Sequence, residues 1–441
     1  MTDRFPFIKL RLGLMAYSAL WWVGLPFVLF YLWRRGGRDP VYRAHLGERF
    51  GRHQAFQPGA IWVHAVSLGE LRSAVPMIRA LLDRGDRVVT THFTPAGRRE
   101  AEQVFARDIA AGKLQVVWVP LELGFAYRGF FKAFRPRCGL VMEVEIWPRM
   151  IVAARGAGVP LFMCNAQYPS KSYARDTART GLRAQVMRGF AGALVKSDLQ
   201  AKRFASVGVT PIHVTGELRF DQTIPPQLLA AGVAVRAWLG ANDSRVITIA
   251  SAVQGEDDTY ITAILGLRKA HLARKLVMPL VVYVPRKPER FEDVAKVLEA
   301  AGLVVGKRSA LLDAALQPIA TAPQIDVLLG DSLGEMYAYL AMADTVIVGG
   351  GFTPKGAHNI IEALALRKPV LTGQQTWTIE FPFAEAEAAG VARSVPDGAA
   401  LLAALTDGST TSPAAIEAFF NAHSGATRRT ITALDQLLTS H

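Results

Sequence analysis

Three carboxylates stand where short apolar runs give way to helix-forming sequence, a position from which a side chain can take a proton from a hydroxyl. Glu70 closes the segment HAVSLGE (64–70). In the first turn of a helix it lies in the positive field of the helix N-terminus, and Ser67 and Gly69 permit a tight turn and close approach of a ligand. Glu70 is therefore a candidate general base, with plain helix capping as the alternative role. Glu143 and Glu145 stand two apart in MEVEIWP (142–148), so a continuing strand would project both to one side. Such a pair can hold amino or hydroxyl groups of a sugar acceptor. Alternatively, one of them caps the helix opened by Pro148.

A second group of segments suits a phosphate. VPRKPERF (284–291) places Arg286 and Lys287 after an apolar run, and DSLGEMY (331–337) opens a helix with Asp331 or Ser332 as cap. GGGFTPKGAHNIIEA (349–363) is a glycine-rich strand-to-helix turn, though neither a Walker A loop nor a G-x-G-x-x-G fingerprint. Exposed N–H groups and an arginine on one edge are what a phosphate requires. Cys and His show no metal-ligand spacing and no Asp-x-Asp pair occurs, so neither a metal nor a cofactor is expected.

The elements that must position these residues alternate. Apolar runs at 61–66, 87–92, 114–119, 138–143, 160–165, 193–197 and 212–216 are separated by helix-like stretches, which predicts a parallel sheet covered by helices. After Pro225-Pro226 the pattern restarts, with runs at 245–251, 279–285, 326–330, 344–350 and 368–373. The expected class is α/β, as two Rossmann-like halves with ligands at the C-terminal ends of strands, in the cleft between them. The expected divisions are 1–38, 39–222, 227–412 and a terminal helix within 413–441, with a loop at 408–415. Cys138 and Cys164 each fall inside an apolar run and read as buried free thiols of a reducing compartment.

From Leu12 to Trp33 there are twenty-two residues without a charge, flanked by Lys9 and Arg11 before and Arg34, Arg35 and Arg38 after. As a helix this covers ~33 Å, one bilayer core. It ends YLWRRGGR rather than in small residues of A-x-A type, which favours a retained anchor over a cleaved signal peptide. Denser arginine on its C-terminal side places the body in the cytoplasm. Net charge is +13, and residues 1–222 hold 32 Lys and Arg against 16 Asp and Glu. Basic excess on the half that carries the anchor points to an anionic membrane surface or lipid substrate. Aromatics do not interleave with it as in a nucleic-acid reader.

In order, the uncharged run, HAVSLGE, EVEIWP, PRKPERF, DSLGE and GAHNIIEA resemble the motif series of the membrane-anchored Kdo (3-deoxy-D-manno-octulosonic acid) transferases of lipopolysaccharide assembly, over nearly the whole chain. The resemblance implies a glycosyltransferase-B fold and inverting transfer of Kdo from CMP-Kdo to a lipid A precursor, at the cytoplasmic side of the inner membrane. It implies Glu70 as general base, with Ser67, Gly69, Glu143 and Glu145 on the acceptor side. CMP would be held by Pro285 and Arg286, by Gly334, Glu335 and Met336, by Gly350 and Gly351, and by Asn359, Ile360, Ile361 and Glu362, the last on the ribose. Lys287 stands where the family has a histidine, and Glu217 and Arg219 of GELRFD replace its Asn and Lys. The other readings are a same-fold transferase using a UDP-sugar or another CMP-linked acidic sugar, and a catalytically dead membrane-tethered scaffold.

Overall fold

The computed structural model describes residues 5–6, 8–178, 181–407 and 411–439, so the expected loop at 408–415 begins with three residues outside that set. The chain divides into two units, Met1–Gln222 with Ser424–His441, and Thr223–His423. Each is described by itself.

In the first unit the strands are β1 (Ile61–His64), β2 (Val88–His92), β3 (Leu114–Trp118), β4 (Cys138–Met142), β5 (Leu161–Ala166), β6 (Gly192–Val195) and β7 (Ile212–Val214). Among the described residues they form one parallel sheet in the order β3-β2-β1-β4-β5-β6-β7. Strands β1, β2, β4, β5 and β6 are buried along their whole length, which explains their uninterrupted apolar runs. Cys138 and Cys164 are buried free thiols within β4 and β5. The chain reverses direction across the sheet between β1 and β4, the position at which open α/β sheets bind ligands in a crevice at the carboxyl ends of their strands.

The second unit repeats the plan with β8 (Val246–Ala252), β9 (Leu280–Pro285), β10 (Val305–Lys307), β11 (Val327–Leu329), β12 (Thr345–Val348), β13 (Val370–Gly373) and β14 (Ala392–Val395). The parallel order is β10-β11-β9-β8-β12-β13-β14. The sequence pattern omits β10 and β14, and the sheet order explains why. Both are edge strands three or four residues long, half solvated and carrying Gly, Lys, Arg or Ser, so no apolar run announces them.

The described part of 413–441 is two helices, Pro413–His423 and Ala426–Thr439, the first beginning inside the expected loop 408–415. Gly425, at φ +83°, breaks them, and Asp221 accepts the Gly425 and Thr427 N–H groups at 2.6 Å each. The second helix thus returns to the first unit, where Ala433, Leu434 and Leu437 join its core.

The apolar N-terminal run is a helix, Ile8–Arg35, long and apolar enough to cross a membrane. It does not stand apart from the body. Leu10 and Leu14 belong to the core of the first unit, and Trp21, Leu25 and Val28 pack on Leu121, Leu123 and Ala126.

Candidate active site

Glu70 occupies the third position of the helix Leu68–Asp83, whose N-cap is Ser67. Ser67 Oγ accepts the Glu70 N–H at 3.3 Å and donates to Glu70 Oε1 at 2.9 Å, while the Val66 N–H donates to Oε2 at 2.8 Å. Ser67 caps the helix and Glu70 reaches back to the Val66 N–H just before it, a variant of the capping box, so the capping role is real. It does not exhaust the residue. Burial pushes the Glu70 carboxyl up to about 7, the nearby Glu143 and Glu145 charges add to that, and the Ser67 and Val66 bonds oppose it without cancelling it. Glu70 follows β1 and Glu143 follows β4, so the fold brings all three carboxylates together at the point where the sheet order reverses. A carboxyl that ionises near neutrality in such a crevice can remove a proton from a hydroxyl.

The expected strand continuation through Glu145 does not occur. Strand β4 ends at Met142 and Glu143 turns the chain in the left-handed region at φ +55°, with its N–H held by the Cys164 carbonyl at 2.9 Å. Strained backbone of this kind persists only where its surroundings enforce it. Neither glutamate caps the helix Pro148–Gly156. Glu145 Oε2 accepts the Trp147 indole N–H at 2.6 Å, and burial raises its carboxyl above the usual range. The cap is Glu122, buried, whose carboxylate accepts the Arg149 and Met150 N–H groups at 2.8 and 3.0 Å. Sequence reading missed it because its partners lie twenty-seven and twenty-eight positions away.

Four further residues join the site. Lys196 Nζ lies 2.6 Å from Glu217 and 3.6 Å from Glu143, and Arg219 lies 3.8 Å from Glu143. Asn165 donates to Glu217 at 2.8 Å and accepts the Leu218 N–H at 3.0 Å. Burial alone would raise the Glu217 carboxyl, but Lys196 and Arg219 outweigh it and hold it down to about 2. Arg219 Nε also donates to Ser73 Oγ at 2.6 Å, beside Gly69 in the helix that carries Glu70. GELRFD thus ties both carboxylate loops together from beneath. The sequence signals were GELRFD, which carries Glu217 and Arg219, and Lys196 at the end of an apolar run, where a charge survives only if paired.

In the second unit, β11, β9, β8 and β12 are consecutive and parallel, so the loops after β9, β11 and β12 share one sheet edge, as expected. The buried Glu256 carboxylate holds the glycine turn, accepting Gly350 N–H at 2.7 Å, Phe352 N–H at 3.1 Å and Val253 N–H at 3.0 Å. Gly350 therefore shapes the turn and spends its N–H internally. A Cβ at Gly350 would lie 2.3 Å from the Gly356 carbonyl oxygen, and one at Gly351 2.5 Å from Gly373 N. Neither Asp331 nor Ser332 caps the helix that follows them; Asp331 instead takes the Ser309 N–H at 2.8 Å, at the start of the short helix Arg308–Leu311. The following helix is Met336–Met342, and Ser332 bonds Glu335 and Tyr339. Glu335 pairs with Arg308 at 2.7 Å, so Gly334, at φ +86°, and Met336 meet the edge as backbone. Asn359 Oδ1 accepts the Ile361 N–H at 3.0 Å at the start of Ile361–Ala365, only five residues long and a weak dipole. Pro285 ends β9 and Arg286, exposed, follows it. Burial, with Arg286 second, pushes the His358 imidazole down to about 4. Among the described residues no cluster of His, Cys, Asp and Glu could hold a metal.

A family profile described as 3-Deoxy-D-manno-octulosonic-acid transferase (kdotransferase) matches residues 44–222. A 3-deoxy-D-manno-octulosonic acid transferase of Bordetella pertussis is 40% identical over 425 residues, 94% of this chain and 96% of that protein. Another, from Haemophilus influenzae, is 28% identical over 371 residues, 82% of each chain. A solved UDP-GlcNAc 2-epimerase of Neisseria meningitidis, bound to UDP-GlcNAc, shares the fold with a TM-score of 0.55 at 14% identity, over 87% of this chain and 100% of that one.

Proposed function

Since this chain belongs to the 3-deoxy-D-manno-octulosonic acid (Kdo) transferase family, we propose that it transfers Kdo from CMP-Kdo to a lipid A precursor at the cytoplasmic face of the inner membrane. It is a glycosyltransferase with the glycosyltransferase-B type of fold. The observation that carries the chemical reading is the Glu70 carboxyl, pushed up to about 7 beside Glu143 and Glu145. In its ionised form Glu70 takes the proton of the acceptor hydroxyl as the hydroxyl oxygen attacks the anomeric carbon of Kdo. The bond to the CMP phosphate oxygen breaks with inversion, and the electron pair leaves with CMP.

Ser67, Gly69, Glu143 and Glu145 line the acceptor side, with Lys196 and Arg219 offsetting the Glu143 charge from beneath. On the donor side, Arg286 neutralises the leaving phosphate. Backbone at Gly334, Met336, Gly351, Asn359, Ile360 and Ile361 borders the nucleotide, and Glu362 accepts from the ribose hydroxyls. Pro285, Glu335 and Gly350 hold these loops in shape. The basic balance of residues 1–222 supports an anionic lipid as acceptor and an anionic membrane as the working surface.

The test is mass spectrometry of a reaction containing the protein, CMP-Kdo and a lipid A precursor. A product heavier by one or more Kdo units is expected. Turnover of a UDP-sugar with CMP-Kdo inert would overturn the donor assignment. Arg286→Ala should weaken CMP binding by ~1.5–3 kcal/mol, the scale of a charge-assisted hydrogen bond. Glu362→Ala should matter for CMP and little for an analogue without ribose hydroxyls.

A further inference from the structure

Burial along the helix Ile8–Arg35 follows one line: Leu10, Leu14, Ser18, Trp21, Leu25, Val28 and Leu32 are buried or half-buried, at helical spacing. The body accompanies this line from end to end. Leu10 and Leu14 sit in the core, Arg149 Nε donates to Ser18 Oγ at 2.6 Å, and Trp21, Leu25 and Val28 cover Leu121, Leu123 and Ala126. Arg43 Nε donates to the Trp33 carbonyl at 3.0 Å, at the far end. Keeping these contacts while crossing a bilayer upright would carry Glu122 and Arg149 into the hydrocarbon, where charges are costly.

The opposite face is apolar and open: Phe27 is 74% exposed, Val23 69% and Leu12 59%. Trp22 stacks on Phe125 with ring centroids 6.0 Å apart. From Phe125 the helix Gly124–Phe134 continues this surface with exposed Arg128 and Lys132, followed by Arg135, while Arg34, Arg35 and Arg38 close the other end. An apolar face rimmed by cations matches acyl chains bordered by anionic headgroups.

We propose that this helix lies in the plane of one anionic leaflet, its inner line fixed to the body and its outer face among the acyl chains, and does not cross the membrane. The proposal rests on the membrane-bound reading above. Phe130, Phe131 and Phe134 of the helix Gly124–Phe134 are buried in the body, which leaves its exposed Phe125 as the second aromatic contact.

The experiment uses the full chain with single nitroxide labels at L12C, L20C, F27C and F30C, all on the open face, in vesicles of phosphatidylglycerol and phosphatidylethanolamine. Cys138 and Cys164 are buried and stay unlabelled. Collision with oxygen and with a water-soluble nickel chelate gives the depth of each label. All four should lie within ~5 Å of one depth, just below the headgroups, the level of an interfacial helix. An upright helix would instead separate Leu12 from Leu20 by ~12 Å, at 1.5 Å per residue, with Phe30 facing the other leaflet. That graded result overturns the in-plane placement and leaves the membrane-bound reading standing. Failure to bind these vesicles overturns both.

Discussion

Glu70→Gln should cost activity and return stability. The carboxyl ionises near 4.5 when unfolded and at about 7 in the native site, mainly because it is buried. As pH rises from 4.5 to 7 the unfolded chain releases this proton while the native chain keeps it, so the native state loses stability across that window. Above pH 7 the loss is complete at ~3 kcal/mol, since each pH unit between the two ionisations is worth ~1.4 kcal/mol. Glutamine keeps the shape, can accept from the Val66 N–H with its amide oxygen and donate its NH2 to Ser67 Oγ, and carries no charge. The variant should therefore unfold in urea at the wild-type midpoint at pH 4.5, and be more stable by ~1–3 kcal/mol at pH 8. Turnover should fall by ~10²-fold or more, as for loss of a general base. In the wild type, kcat/KM should rise with pH through about 7 and then level, following the basic form of Glu70. Two results would refute the reasoning: near-wild-type turnover in the variant, or destabilisation of similar size at both pH values. The second would reduce Glu70 to its cap.

Lys196→Met should destabilise the first unit by ~3–5 kcal/mol at pH 7, because it strands the buried Glu217 charge. The Glu217 pKa is depressed to about 2, so the gap should narrow as pH falls from 4.5 toward 2; urea unfolding at several pH values checks both. Gly350→Ala should lower stability by at least ~1–3 kcal/mol, since its φ of +94° leaves no room for a Cβ. Titration with CMP should show weaker binding in that variant too. Deleting residues 1–36 should release the protein from membranes and also lower its Tm, since Leu10 and Leu14 leave the core and Leu121, Leu123 and Ala126 are uncovered. A fully buried Leu is worth ~1.5–3 kcal/mol, so an unchanged Tm would show that the helix adds nothing to the fold.

The helix start at Glu70, the glycine turn of the second unit and nearly all the strands were legible in the amino-acid order because each depends on neighbours a few positions apart. Strands buried on both faces must be apolar throughout. A helix start announces itself through Ser67 and Glu70 within one turn, and a glycine turn through its glycines. Groups whose partners lie far along the chain were not legible: Glu122 capping the helix at Pro148, Glu256 holding Gly350 across ninety-four positions, and Lys196 held by Glu217 and Glu143. No local pattern distinguishes such a carboxylate from a solvated one, and only the sheet order decides which loops meet.

The N-terminal helix shows the same division. Twenty-two uncharged residues determine that it is a helix seeking an apolar environment, since nothing along it is polar enough to face water on every side. They cannot say which side faces protein and which faces lipid, because both are apolar. That choice is made by Leu121, Leu123, Ala126 and Arg149, more than ninety residues later in the chain, when the tertiary fold brings them against one line of the helix.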